Sequence, residues 1–333
     1  MAELVAPHPN TLKLVTSWLE SNGVPTSSIS RTLAGSWLTV TDVPVSQANK
    51  LLGASYQLYY HAGRNDTILR TAGYALPGAL HVHVKTVVPT TAFTSTRFLQ
   101  KTLGRRSGEA AAPNVTSNVT SWEPMNMLSR RQPIEQKEVD PSILRSMYQT
   151  ATYVPNPFLT GNKLGIVGYS DEYPDLDDVD SFMSRFRSEG VKQIVKTYTI
   201  DEKAPNGYES GWANLFTQYA AAMAWPTPII FYRGTGPREF TKKRPRGGGD
   251  DAVLQFLKYA DGREDIPRTI GFVTDGTKEK IITDDYADSV CKQFEVLGAR
   301  GVTVLVSTGD YGVGYGNCRE FTPKFPASCT CVF

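Results

Sequence analysis

The sequence predicts an α/β protein: a parallel sheet with helices on both faces, preceded by a small α+β unit. Three observations predict it. From residue 139 onward, short β-rich apolar runs alternate with helical patterns, the signature of strands joined by crossover helices. Residues 1–95 carry shorter helices and strands of their own, and residues 96–138 carry no periodicity at all. At roughly 150 residues per domain, a chain of 333 residues suggests two domains.

In the first unit, residues 10–19 place apolar side chains at helical spacing and stop at Asn22-Gly23. Residues 36–40 are β-rich, and residues 45–52 form a second helix closed by Gly53. Residues 56–60 and 68–71 read as a hairpin with residues 63–66 as its turn. His81 and His83 alternate with Val82 and Val84, which predicts a closing strand with both histidines on one exposed face.

Residues 96–138 contain turn formers and dibasic pairs such as Arg105-Arg106 and Arg130-Arg131, and predict a linker. Asn114 and Asn118 head two sequons there, and Asn65 heads a third; two in a linker hint at a secretory ancestry. Strands are then expected at 164–169, 193–198, 228–232, 268–273 and 302–307. Helices are expected at 177–187, 211–224, 252–259 and 285–297. In such sheets function sits beyond the carboxyl ends of the strands, which points to 169–171, 232–236 and 307–310.

Composition excludes several classes. Lys+Arg 35 against Asp+Glu 33 gives a formal net charge of +2, so nothing favours a nucleic-acid or membrane-surface partner. No apolar run approaches the ~18–20 residues of a membrane span, and the first nine residues lack the pattern of a signal peptide. All four histidines precede residue 84, which excludes a local Ser-His-Asp or His-ligated metal site in the longer second part. All four cysteines (Cys291, Cys318, Cys329, Cys331) lie near the end; buried thiols or a local disulfide both fit, and three pairings are open.

Three motifs fail on their context. Residues 309–316 are glycine-rich after a strand, but Cys318, Pro323 and Pro326 follow where a phosphate-binding loop needs a helix. Residues 168–172 approach Gly-x-Ser-x-Gly, but Glu172 replaces the second glycine. Arg238, Lys242, Lys243, Arg244 and Arg246 form a basic loop balanced by Asp250 and Asp251, a solvated loop and not a nucleic-acid site.

Residues 139–148, 164–169, Gln218-Tyr219 and Trp225-Pro226-Thr227-Pro228 resemble the opening of the sedolisin catalytic domain. Residues 297–305, Ser307-Thr308-Gly309-Asp310 and Phe325-Pro326-Ala327-Ser328-Cys329 continue the match. Ser17-Trp18-Leu19, residues 48–54 and Val88-Pro89-Thr90-Thr91 resemble the second half of the activation propeptide of fungal tripeptidyl-peptidase-like members. The resemblance implies a subtilisin-like α/β fold, incomplete here. It divides the chain into a propeptide part (1–95), a linker (96–138) and an N-terminal part of a catalytic domain (139–333).

The resemblance also implies a Ser-Glu-Asp triad with an oxyanion-hole Asp, working in acid on peptide or protein substrates in a secreted or vacuolar setting. A carboxylate replaces histidine as base only at low pH, where paired acids share a proton. The family sets its Glu and Asp four residues apart on one helix face, in a pattern like Gly-Glu-Ala-Asn-Leu-Asp-x-Gln-Tyr. This sequence reads Gly-Trp-Ala-Asn-Leu-Phe-Thr-Gln-Tyr over 211–219, so Trp212 stands at the Glu position and Phe216 at the Asp position. Glu209 would replace them only by realigning a helix whose flanks match. Asp310 retains the oxyanion position, where capping the turn after the strand is an equal use for it. The Gly-Thr-Ser nucleophile motif does not occur, and the family's calcium site would lie beyond residue 333, so no cofactor is expected. The expectation is a truncated, degenerate sedolisin-like protein without catalysis. The alternative is a propeptide-like binder or inhibitor of an intact sedolisin.

Overall fold

In the computed structural model, the described residues are 7–61, 66–91, 139–156, 161–168, 172–190, 192, 195–200, 207–234, 252–273, 277–278, 282–309, 312–314 and 320–333. The N-terminal layer begins with α1 (Pro9–Ser21), β1 (Ile29–Arg31), β2 (Leu38–Val40) and α2 (Val45–Leu52). Gly53 closes α2 at φ 52, a left-handed cap that glycine adopts without a Cβ clash. The hairpin β3 (Gln57–His61) and β4 (Asp66–Arg70) follows; its expected turn at 63–66 falls almost wholly outside the described residues. Val15 and Leu19 of α1 meet Val24 and Leu80 in a small core, with Trp18, Ile29, Leu38 and Leu51 against it.

The expected strand at 81–84 is corrected. A 3-10 turn at Gly78–Leu80 runs into a turn through His83. Leu80, 2% exposed, is drawn into the core, and the His83 amide bonds to the Leu80 carbonyl, which curls the chain away from an extended path. The histidines do not share one exposed face either. His83 Nδ1 lies 2.8 Å from Thr11 Oγ1, and His81 Nε2 lies 2.8 Å from the Leu76 carbonyl oxygen.

The second layer contains the predicted sheet. It comprises α3 (Pro141–Met147), β5 (Leu164–Gly168), β6 (Glu172–Tyr173), α4 (Leu176–Phe186), β7 (Val195–Thr199), β8 (Tyr208–Glu209) and α5 (Gly211–Ala224). It continues with β9 (Ile229–Arg233), α6 (Ala252–Ala260), β10 (Thr269–Phe272), β11 (Thr277–Lys278), α7 (Asp284–Ala299), β12 (Thr303–Val306) and β13 (Lys324–Phe325). Five strands pair in parallel in the order β12-β10-β5-β9-β7. Alternation along each strand divides the core in two. Ile166, Ile229 and Phe231 face Val179 and Met183 of α4 and Ala213, Ala221 and Ala222 of α5. Val167, Ile230, Tyr232, Ile270 and Phe272 face α6 and α7. Helices therefore cover both faces.

Two details place the strand ends. A Cβ on Gly168 would lie 2.3 Å from the Phe231 ring, so only glycine lets that ring close over the end of β5. Beside β12, Phe333 donates its amide to the Val304 carbonyl (2.9 Å) and accepts from the Val306 amide (2.7 Å), pairing with the strand's outer edge.

The sequence reading missed α3, although Asp140-Pro141 is its start signal: the Asp140 carboxylate accepts from the amides of Ser142 (2.8 Å) and Ile143 (2.9 Å). The Ser142 hydroxyl, and after it these amide bonds, hold Asp140 below its usual carboxylate value. It also missed the two-residue pairs β6–β8 and β11–β13. The linker, its sequons and the basic loop at 238–246 lie outside the described residues. Among the described cysteines, Cys291 of α7 bonds Cys329, and Cys331 is exposed and free; Cys318 lies outside the described residues.

The two layers meet on the face of α6 and α7. Asp261, just after α6, accepts from the Thr32 hydroxyl and from the Ser36 amide (3.3 Å) and hydroxyl (3.2 Å). Gly262 follows at φ +80, and a Cβ there would lie 2.6 Å from the Ala34 nitrogen. Lys258 Nζ sits 4.9 Å over the Trp37 ring, and Lys85 Nζ lies 2.9 Å from Asp288 of α7.

Candidate functional site

Helix α5 starts where a buried acid holds its first turn. Ser210 is the N-cap: its hydroxyl accepts from the Ala213 amide (3.1 Å) and donates to Glu172 Oε2 (2.7 Å). Tyr208 Oη donates to Glu172 Oε1 (3.0 Å), so both carboxylate oxygens of this 6%-exposed residue are satisfied. Asn214 and Gln218 then tie α5 to α4: Asn214 Oδ1 accepts from the Asp175 amide (2.6 Å) and its Nδ2 donates to Asp178 (2.7 Å). Gln218 Nε2 donates to the Asp178 carbonyl (3.2 Å). Tyr219 Oη donates to the Val139 carbonyl (2.6 Å), which anchors the chain just ahead of α3.

With Ala213, Thr217, Ala221 and Ala222 buried against the sheet, the rotation of the helix is set. Trp212 and Phe216 then lie side by side along its flank, both half-buried. Their ring centroids are 5.7 Å apart with planes at 15°, a stacked pair one turn apart. Neither ring can accept or return a proton. Glu209 is not on this helix; it is exposed in β8, paired with Tyr173.

Among the described residues, nearby strand ends add backbone and few titratable groups. β5 ends at Gly168, whose carbonyl accepts from the Gly234 amide (3.3 Å) beyond β9. β12 leads into Ser307, Thr308 and Gly309; Asp310 lies outside the described residues, as do 169–171 and 235–236. Tyr232 of β9 sits among aromatic rings, and burial raises its hydroxyl well above the usual tyrosine value. Within the glycine-rich run 309–316, the described residues are Gly309 and a 3-10 turn at Gly312–Gly314. Among the described residues no His/Cys/Asp/Glu group is arranged to hold a metal ion, and no helix is long and apolar enough to cross a membrane.

The acid that sequence reasoning passed over is Glu172. Its signal was its place just past a buried strand, four residues after Gly168, where it was weighed only as a break in a nucleophile motif.

Comparison with known proteins finds likenesses to both layers. The pro-kumamolisin activation domain matches residues 1–93. A probable tripeptidyl-peptidase SED3 of Arthroderma benhamiae is 27% identical over 348 residues, covering 99% of this chain. Over most of its length this chain is similar to fungal tripeptidyl-peptidases. Tripeptidyl-peptidase SED4 of Arthroderma otae is 28% identical over 344 residues, covering 96% of this chain, and tripeptidyl-peptidase SED2 of the same organism is 25% identical over 346 residues, covering 99%. The chain spans about half the length of these curated relatives: 55%, 52% and 55% respectively. The layer docked through Trp37, Lys85 and the 32–36 turn is the part that matches the activation domain.

Proposed function

We propose that this chain keeps sedolisin architecture, a subtilisin-like α/β layer with an activation domain docked on it, and does not hydrolyse peptides. The observation that carries the reading is the stacked Trp212–Phe216 pair on α5. In the family these positions hold the Glu and Asp that share a proton, accept one from the serine and return it to the leaving amine. Here both are aromatic rings with no basic group, and general base catalysis, which contributes typically ~10²–10⁴-fold, has no group on α5 to perform it. Glu172 does not substitute for them, because both its oxygens are committed to Ser210 and Tyr208 at the helix start. The Cys291–Cys329 bridge fits the oxidising, extracellular setting of the family. The test is to incubate the chain in acid with unstructured peptides and read their masses. Intact peptides support the reading; loss of amino-terminal tripeptides overturns it.

A second reading rests on the docking contacts. Asp261, Lys258 and Asp288 show that the activation domain recognises a two-helix face through specific side chains. An intact sedolisin presenting such a face would be a partner in trans. Titrating an active acid tripeptidyl-peptidase with this chain, and with the Asp261→Ala variant that loosens the docking in cis, tests it. Inhibition that strengthens in the variant supports the reading, and none by either protein removes it.

A further inference from the structure

Strand β2 of the N-terminal layer has two edges, and β1 takes only one of them. The register pairs Ile29 with Val40, Ser30 with Thr39 and Arg31 with Leu38. Just outside it, the Thr41 amide bonds to the Ser28 carbonyl (2.9 Å) and the Thr32 amide to the Trp37 carbonyl (3.1 Å). Bonded pairs alternate along an antiparallel ladder, so Ser30–Thr39 is a bonded pair while Ile29–Val40 and Arg31–Leu38 are not. The amides and carbonyls of Leu38 and Val40 therefore point away from β1, and among the described residues none of them has a partner. Trp37, beside them, keeps a buried Nε1 without a partner as well.

That free edge opens on a cavity. About 560 Å³ lies among α1, β2, α2, the segment 83–89 and the helices α6 and α7; Leu38, Thr39 and Val40 line it, and no residue of β1 does. Thr86 also lines it, and its amide and carbonyl have no partner among the described residues. Alternation along β2 gives the space two unlike faces. Leu38 and Val40 pack with Val15, Leu19 and Leu51 of the N-terminal layer. Trp37 packs instead on the core of the sheet layer, where Ser289 and Gln293 of α7 line the cavity. A compact ligand would leave the backbone groups of β2 unmet. An extended peptide carries one donor and one acceptor per residue, at the spacing of the strand itself.

We propose that this cavity is an acceptor slot for an extended peptide, which joins the free edge of β2 as an added strand. Its alternate side chains are apolar and lie against Val15, Leu19 and Leu51; those between are polar and face Ser289 and Gln293. Main-chain bonds to Leu38 and Val40 supply affinity, and the alternation supplies selectivity. At ~3.3 Å per residue, the run from Trp37 to Thr41 matches a partner of about five residues. Because both layers wall the slot, the added strand also ties them together. This goes beyond the catalytic reading, since neither α5 nor any strand end of the parallel sheet takes part.

The experiment uses the full chain at neutral pH and the fluorescein-labelled peptide Ser-Val-Ser-Leu-Ser-Val-Ser, followed by anisotropy. Its competitors are the fully N-methylated form, which keeps the side chains and loses the donors, and the block isomer Val-Leu-Val-Ser-Ser-Ser-Ser. The expected result is one saturable site in the micromolar range, with both competitors weaker than the unlabelled parent by ~10-fold or more. At saturation the amides of Leu38 and Val40 should exchange ~10-fold or more slowly, while that of Thr39, already paired with Ser30, changes little. Val40→Pro removes an outward amide, leaves the Ser30–Thr39 pair, and should abolish binding. Should Val40→Pro fail to fold by circular dichroism, the N-methylated peptide and the exchange pattern decide. Absence of saturable binding up to ~100 µM, equal competition by the N-methylated peptide, unchanged exchange at Leu38 and Val40, or full affinity in folded Val40→Pro each overturns the proposal.

Discussion

Asp261→Ala should release the activation domain from the sheet layer. Asp261 is 5% exposed and accepts from three donors across the layers: Thr32 Oγ1, the Ser36 amide at 3.3 Å and Ser36 Oγ at 3.2 Å. A hydrogen bond to a charged group contributes about 1.5–3 kcal/mol, and the cost of burying the carboxylate offsets part of the sum. Alanine removes the acceptor of all three donors and leaves the Ser36 amide and two hydroxyls facing a gap. We expect a loss of about 2–4 kcal/mol of docking free energy, or roughly 30- to 700-fold in the undocked population. Hydrogen exchange is the assay: amides of β1 and β2 should lose protection by that factor, while amides of β5 and β9 keep theirs. Asp261→Asn, which retains one acceptor oxygen, should restore part of the protection. Unchanged exchange at residues 29–40 in the alanine variant would refute the reasoning and shift the docking to Trp37 and Lys85.

The stacked pair should appear in a double-mutant cycle: Trp212→Ala and Phe216→Ala each destabilise, with a coupling of about 0.5–1.5 kcal/mol from urea titrations. A coupling near zero means that the rings do not meet in solution. The Cys291–Cys329 bridge spans a sequence separation of 38, for which loop closure predicts about 4 kcal/mol. Cys291→Ser should therefore lower the urea midpoint markedly, measured against wild type under oxidising conditions. The Lys85 contact, followed by that of Lys292, holds Asp288 below its ordinary 3.8, and the same bond raises Lys85 above 10.5. A lowered carboxylate contributes above its unfolded value and is lost as pH falls through the folded one; a raised lysine contributes below its unfolded value and is lost as pH rises through its own. Protection of residues 83–88 should therefore hold from about pH 4 to pH 10, fall on either side of that window, and weaken in ~1 M salt.

Much of the sheet layer was legible because its signals are strong and local. Five runs rich in β-branched residues, each followed by turn formers, fall within a residue or two of the strands, and α5 spans the predicted 211–224. Gly53 and Asn22 end their helices as read. What failed depended on distant partners. His81 to Val84 alternate like a strand, but Leu80 is claimed by a core that residues 15–24 build. The pairs β6–β8 and β11–β13 are two residues long and carry no period. Cys329 finds Cys291 because α7 lies over β12 and β10, a relation that spacing cannot express. At the site, Trp212 and Phe216 were found through a pattern of neighbours, and the structure supplies their stacking. Glu172 escaped notice because its role arises from Ser210 and Tyr208, some 36–38 residues downstream.

The central claim is that replacing two acids by Trp212 and Phe216 leaves α5 without a proton relay. Progress curves with an amino-terminal tripeptide reporter, recorded from about pH 3 to pH 7 where carboxylates of this kind titrate, test it most directly. The account predicts no turnover above that of a heat-inactivated sample at any pH in that range. Turnover that survives purification and disappears on Asp310→Ala would contradict it, because a working site would then exist without the two acids of α5.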